Sequence, residues 1–315
     1  MVRKPERPSS RDRPARSAQK AGLLRIFKTA AAVARYCARN AGRLFLLVWF
    51  PCLMVAACQL ALDWLSVSFP PKLPNWLLTP HFNPPTWLTA IAQTPWGALA
   101  WAFVLTQMGN RTSPRTSLRR RLALGAAVVV AAVIFSAINL MDGGLRILQL
   151  QLLDSIYVAF MPSDELLNAL GRTGDVVQVI VMAAVIAGCY LVIGRLLQTG
   201  LRSVAGVWSL TRDNRVRVFA LFLLLTAAES ALNTAAAPAV GWLVRSFADE
   251  LFWTFKGALI RQLLDLPFFL LWTVVYAVTV GIVLGALEQR AAAPQPARPT
   301  AAAAPPLRPS GSRPW

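Results

Sequence analysis

The chain has 315 residues, of which 56% are hydrophobic and only 15% charged, and its mean hydropathy is +0.51. A soluble domain carries about 25% charge, whereas here the apolar residues fall in blocks of about twenty, enough to cross a hydrocarbon core of roughly 30 Å. The formal charge of +18 does not read as nucleic-acid binding, because no basic-aromatic module accompanies it. Lys and Arg sit in tails and short loops beside apolar spans, which is the pattern of membrane orientation and attraction to anionic headgroups.

In chain order, residues 1–22 are polar and rich in Arg, Pro and Ser, the composition of a disordered basic tail. Residues 23–43 set Leu23, Leu24, Ile26, Phe27, Ala30, Val33 and Ala34 against Arg25, Lys28, Arg35 and Arg39. That pattern predicts an amphipathic helix lying in the headgroup plane before the chain turns inward. A six-span membrane domain is then expected over 44–287, with spans at 44–62, 87–108, 122–141, 176–197, 218–244 and 266–287. The first ends near Val55-Ala56-Ala57-Cys58, which superficially matches a lipoprotein processing box. Its apolar run is preceded by 43 residues and continues through Leu62, so it reads as a permanent span.

Pro95 falls inside the second span and predicts a kink. Asp265 and Pro267 suit the N-cap and first turn of the sixth. Between the spans, 63–86 is rich in Pro and aromatic residues and reads as a compact segment at the interface. The stretches 145–160 and 246–263 read as interfacial helices, the latter placing Phe247, Leu251, Phe255 and Leu259 at helical spacing. Residues 288–315 are an Ala/Pro/Arg-rich tail with the composition of a disordered segment. The fold class expected is all-α: a polytopic helical bundle of six transmembrane helices with interfacial amphipathic helices.

Lys and Arg counts orient this bundle. The stretches 1–43, 109–121, 198–217 and 288–315 together hold twenty-five, against six in 63–86, 142–175 and 245–265. The positive-inside rule places both termini in the cytoplasm.

Few residues suggest chemistry. Glu229 lies about twelve residues into the fifth span, so it falls near the bilayer centre, where an ionisable group normally faces protein or a wet cavity. Thr226, Ser230 and Asn233 make that part of the helix polar, and Asn139 and Tyr190 on neighbouring spans are candidate partners. Two readings stay open: a neutral carboxyl that ties helices together, or a ligand or proton site. Ala277, Gly281 and Gly285 form a small-residue ridge for helix packing in the sixth span.

His81 is the single histidine, the four cysteines form no CxxC pair, and GxSxG, Walker, HExxH and helix-opening GxGxxG motifs are missing. Asp142, Asp154, Asp164 and Glu165 have no metal-loop spacing. No metal, cofactor or catalytic centre is expected.

The run Val207-Trp208-Ser209-Leu210-Thr211-Arg212-Asp213-Asn214-Arg215-Val216-Arg217-Val218-Phe219 resembles an element of uncharacterised multi-span bacterial inner-membrane proteins. Those proteins are similar to the membrane domain of some glycerophosphodiester phosphodiesterases. The resemblance covers these residues only and implies a bacterial inner-membrane setting. Since no soluble phosphodiesterase domain is present, it transfers no catalytic residue. Physically the element is an in-plane turn in which Arg212, Arg215 and Arg217 meet lipid phosphates. The leading expectation is a non-enzymatic, lipid-binding or envelope-process protein. The alternative is a small transporter or channel component with its polar site at Glu229.

Overall fold

A single apolar run satisfies its own backbone polar groups as helix when no water is at hand, and the described residues of this chain follow that rule. The computed structural model describes residues 25–68, 86–109, 118–161, 163–200, 204, 206–248 and 255–292, and among them there is no strand. The helices are α1 (Ile26–Ser68), α2 (Thr86–Met108), α3 (Leu118–Phe160), α4 (Asp164–Thr199), the short α5 (Val207–Thr211), α6 (Arg215–Ala248) and α7 (Phe255–Ala292). A 3-10 turn over Arg212–Asn214 joins α5 to α6. Among the described residues, five of the long helices (α1, α3, α4, α6 and α7) are long and apolar enough to cross a membrane. All six expected spans lie inside helices, and the fold is an all-α membrane bundle.

The helices run further than the sequence pattern suggests. Residues 26–43 continue into the first span within α1. The expected turn between an in-plane segment and that span is therefore absent, and Thr29 and Val33 are buried against the bundle. Residues 145–160 are not a separate interfacial helix but the end of α3. At about 1.5 Å per residue this 43-residue helix is about 65 Å long, twice a hydrocarbon core. Helix α4 begins at Asp164, capped by Ser163, which accepts the Leu166 N–H at 3.4 Å. It runs back along α3, where Gln149 donates to the Gly171 carbonyl and to Asp175, both at 3.0 Å, and Gln178 donates to Asp142 at 2.6 Å.

The 246–263 stretch is also divided, its two ends belonging to α6 and α7. Asp265 and Pro267 consequently sit inside α7 and not at its start. The first residues of the expected 288–315 tail, 288–292, continue α7 as helix, whereas the expected 1–22 tail, residues 293–315, most of the 63–86 segment and residues 249–254 lie outside the described residues.

Helix α7 carries the most deeply buried face, with Ala277, Val278, Val280, Val283 and Leu284 fully enclosed. It packs against α1, α2, α4 and α6, while α1–α2, α2–α3, α3–α4 and α4–α6 complete the bundle. Close approach of α4 to α7 depends on Gly194, where a Cβ would collide with Val280 and come within 3.0 Å of Leu284 Cδ1. Large apolar side chains such as Phe45, Leu46, Val129, Val133, Val176 and Val216 point outward, as a surface solvated by lipid tails requires.

Candidate functional site

The polar residues around Glu229 gather in one half of the bundle. Call the end where α7 runs out at Ala292 the terminal end, and the end where α3 and α4 reverse at 161–163 the hairpin end. Glu229 lies fourteen residues into α6, about 20 Å along its axis. Its nearest partner is Tyr276 of α7, whose phenol donates to Glu229 Oε2 at 2.7 Å. Thr226, one turn before Glu229 and buried, reaches the same phenol oxygen at 3.3 Å. The sequence pointed to Asn139 or Tyr190 as the partner of Glu229; Tyr276 was missed.

Around this pair stands a wall of rings. Tyr190 of α4 meets Trp101 at a centroid distance of 4.8 Å, Tyr276 at 5.4 Å and Phe135 at 5.6 Å, with interplanar angles of 74°, 85° and 68°. Edge-to-face pairs at these distances set the negative face of one ring against the positive edge of the next. Four helices (α2, α3, α4 and α7) are pinned together at this level. Trp272, one turn from Tyr276, extends the wall toward the hairpin end.

Between this ring cluster and the hairpin end lies a cavity of about 670 Å³. Tyr190, Glu229 and Tyr276 form its floor, and Gly241 of α6 and Arg261 of α7 stand at its rim. Asn139 and Asn233 line it as well, so three of the five residues expected to form an intramembrane polar site do face one space. Thr226 lies beneath it through Tyr276. Ser230 is not in the lining; its carbonyl accepts the Thr234 hydroxyl.

Gln93 and Thr94 are further lining residues. Gln93 donates to Gln59 at 2.5 Å, and Thr94 shares a hydrogen bond of 2.7 Å with Ser136. At the rim Arg261 Nε pairs with Asp265 at 3.6 Å, and both side chains are at least half exposed.

Pro95, Pro238 and Pro267 lie inside α2, α6 and α7, each within a turn of cavity-lining residues. A proline donates no N–H to the carbonyl four residues back and crowds it, which leaves that carbonyl without its helical partner beside the cavity.

A second cavity of about 640 Å³ opens at the terminal end, lined by Leu105, Gly109, Leu196, Gly200, Gly281 and Glu288 among others. Glu288 forms an ion pair with Arg195, whose side chain is only 19% exposed. The two cavities come close together. Trp101 lines the first and Leu105 the second, one turn apart on α2, about 6 Å along the axis. On α7 the matching residues are Tyr276 and Gly281.

The expected packing ridge divides. Ala277 is fully buried, and Gly281 admits Met108 so closely that a Cβ would lie 2.7 Å from its sulfur. Gly285 has nothing within 4 Å of a would-be Cβ. Gly194, the tighter contact, shares the fourth span with Gly188 and several alanines but has Tyr190 and Gln198 four residues to either side, so no small-xxx-small spacing marks it.

Arg212 and Arg215 are exposed at the start of α6, beside the half-exposed Trp208, while Asn214 is buried in the 3-10 turn. Among the described residues no group of three His, Cys, Asp or Glu side chains stands together, and Cys37, Cys52, Cys58 and Cys189 are all free. No family model, curated protein or solved structure matches this chain.

Proposed function

We propose that the chain is a six-span protein of a bacterial inner membrane, with both termini in the cytoplasm, that accepts a small ligand in the Glu229 cavity as a transporter or carrier component. The observation carrying this reading is the opposed pair of cavities, which approach within one helical turn of each other at the level of Glu229 and Tyr276. A path with a site near mid-depth and a thin barrier beside it is the arrangement that access from alternate sides requires. A scaffold that only holds lipid has no need of a carboxylate at the floor of a polar recess. For that reason the transport reading displaces the scaffold reading that the sequence alone favoured.

The orientation rests on the Lys and Arg bias and the setting on the resemblance at 207–219. In that orientation the Glu229 cavity opens to the periplasmic side, and Arg212, Arg215 and Arg217 face anionic headgroups on the cytoplasmic side. We read the protein as non-enzymatic, since a phenol donating to a carboxylate provides recognition without an activated nucleophile beside a base.

Cysteine accessibility tests this. In a chain with its four native cysteines replaced by alanine or serine, Asn233→Cys should react with a membrane-impermeant maleimide in right-side-out vesicles. Val240→Cys, nearer the rim, should react faster. If both react only in inside-out vesicles, or only with a membrane-permeant maleimide, the one-sided aqueous cavity is wrong and the transport reading goes with it.

A further inference from the structure

We infer that the Glu229 cavity selects an organic monocation, an ammonium group carried on a small apolar body; this rests on the cavity being a ligand site at all. Charge comes first. The chain is strongly basic, with 32 Lys and Arg residues, yet among the described residues the charged side chains in the lining of this cavity are Glu229, Arg261 and Asp265. Arg261 is matched by Asp265 at the rim, so the net charge facing the interior rests on Glu229. Among the described lining residues, an anion reaching the floor would meet a carboxyl with no cation beside it.

Shape and wall chemistry come next. Trp101, Phe135, Tyr190, Trp272 and Tyr276 all line the cavity, and the planes of Trp101, Phe135, Tyr190 and Tyr276 meet at 68–85° in the pairs that Tyr190 makes. Near-perpendicular rings form the corner of a box, not a stack. Aromatic faces at a corner attract a cation through their quadrupoles, most strongly when water is excluded. Tyr276 occupies Glu229 Oε2, and Oε1 has no protein hydrogen bond among the described residues, so one oxygen remains to face a ligand.

A bare metal ion fits this donor set poorly. Gln93 is bonded to Gln59, Thr94 to Ser136, and Asp265 is paired with Arg261. The donors left around Glu229, chiefly the amides of Asn139 and Asn233, fall short of the six to eight oxygens that a calcium ion takes, and Trp101, Phe135 and Trp272 supply none. A volume of about 670 Å³ lies within the 300–1,000 Å³ range typical of small-molecule sites. Asn139 and Asn233 supply polar contacts for the remainder of such a ligand.

The test compares choline with 3,3-dimethylbutan-1-ol, its uncharged carbon isostere, by calorimetry on the full chain in an uncharged detergent. Choline should bind at least about tenfold more tightly than the isostere, since a charge-assisted contact and a desolvated cation–π contact are each of that order. Glu229→Gln should remove about tenfold of choline affinity and leave the isostere unchanged, and Trp101→Leu should weaken choline several-fold. Equal affinities for the two probes overturn the inference, and that comparison needs no variant, so it stands even if Glu229→Gln fails to fold.

Choline affinity unaffected by Glu229→Gln overturns it equally. If neither probe binds while maleimide still reaches Asn233→Cys from the outside, the ammonium assignment fails and the cavity reading survives; if maleimide also fails, both fall. Nanodiscs identify the source of the ammonium. Competition by phosphatidylethanolamine but not phosphatidylglycerol supports a lipid headgroup, and undiminished choline binding in both supports a water-soluble cation.

Discussion

Gly194→Ala is the sharpest probe of how α4 and α7 hold together. The added Cβ collides with Val280 and lies 3.0 Å from Leu284 Cδ1. Val280 and Leu284 are fully buried, and Val280 is β-branched with little rotamer freedom. Relief therefore requires backbone movement, and overpacking of this kind costs about 1–3 kcal/mol. Alanine regains about 0.5–1 kcal/mol over glycine within a helix, so the net loss is about 0–2.5 kcal/mol with a middle value of about 1 kcal/mol, which lowers the melting temperature by roughly 2–4 °C.

Two controls fix the interpretation. Gly281→Ala meets the flexible end of Met108, which swings aside, so its change should stay within about 1 kcal/mol. Gly285→Ala meets nothing within 4 Å and should gain about 0.5 kcal/mol or more. Intrinsic tryptophan fluorescence during a thermal ramp in detergent reads all three. A Gly194→Ala protein melting at or above the parent, or a Gly285→Ala protein losing as much as Gly194→Ala, refutes the argument from close helix approach.

Other perturbations test separate contacts. Glu288→Gln leaves Arg195, 19% exposed, without its anion, and should cost about 1–2 kcal/mol after allowing for Glu288 being 36% exposed. Replacing both residues by methionine should recover most of that loss in the same melt. Tyr276→Phe removes the phenol from Glu229 and Thr226 together and should lower stability by about 1 kcal/mol; an unchanged melt means this bond contributes nothing to holding α6 on α7. For topology, a reporter active only in the periplasm should be silent when fused after Arg290, and activity there would reverse the orientation and with it the side on which the Glu229 cavity opens.

What the sequence revealed follows from which forces act along a single chain. Apolar blocks long enough for a bilayer are a local property, so all six expected spans fall inside helices. Where those helices end is set by contacts between them. The stretch 145–160 looks like an isolated amphipathic helix until α4 lies beside it, with Gln149 bonding Gly171 and Asp175. Those cross-helix bonds let α3 and α4 extend together well past a bilayer's thickness. Asp265 shows the same limit. It suits an N-cap by type and position, yet with Arg261 four residues earlier it becomes part of an exposed i,i+4 pair inside a longer helix.

Glu229 shows why a site residue can be legible while its partner is not. A carboxyl in the middle of an apolar span announces itself, because the environment penalises it wherever the other helices stand. Its partner is decided by helix order and rotation. Asn139 and Tyr190 lie at a similar depth on neighbouring spans, and both line the same cavity. Tyr276 sits at a comparable depth but reads as one more aromatic in an apolar run beside Val274, Val275 and Ala277. It becomes the partner because the small residues Gly194, Ala277 and Gly281 let α7 settle into the centre of the bundle, carrying its hydroxyl to within 2.7 Å of Glu229. The packing ridge and the polar site, separate features in the sequence, are thus parts of one arrangement: close approach along the terminal half of α7 sets the position of the cavity floor in the other half. Loosening Gly194 should therefore be felt at Glu229, and a Gly194→Ala protein that still folds should bind choline more weakly while its Glu229 remains intact.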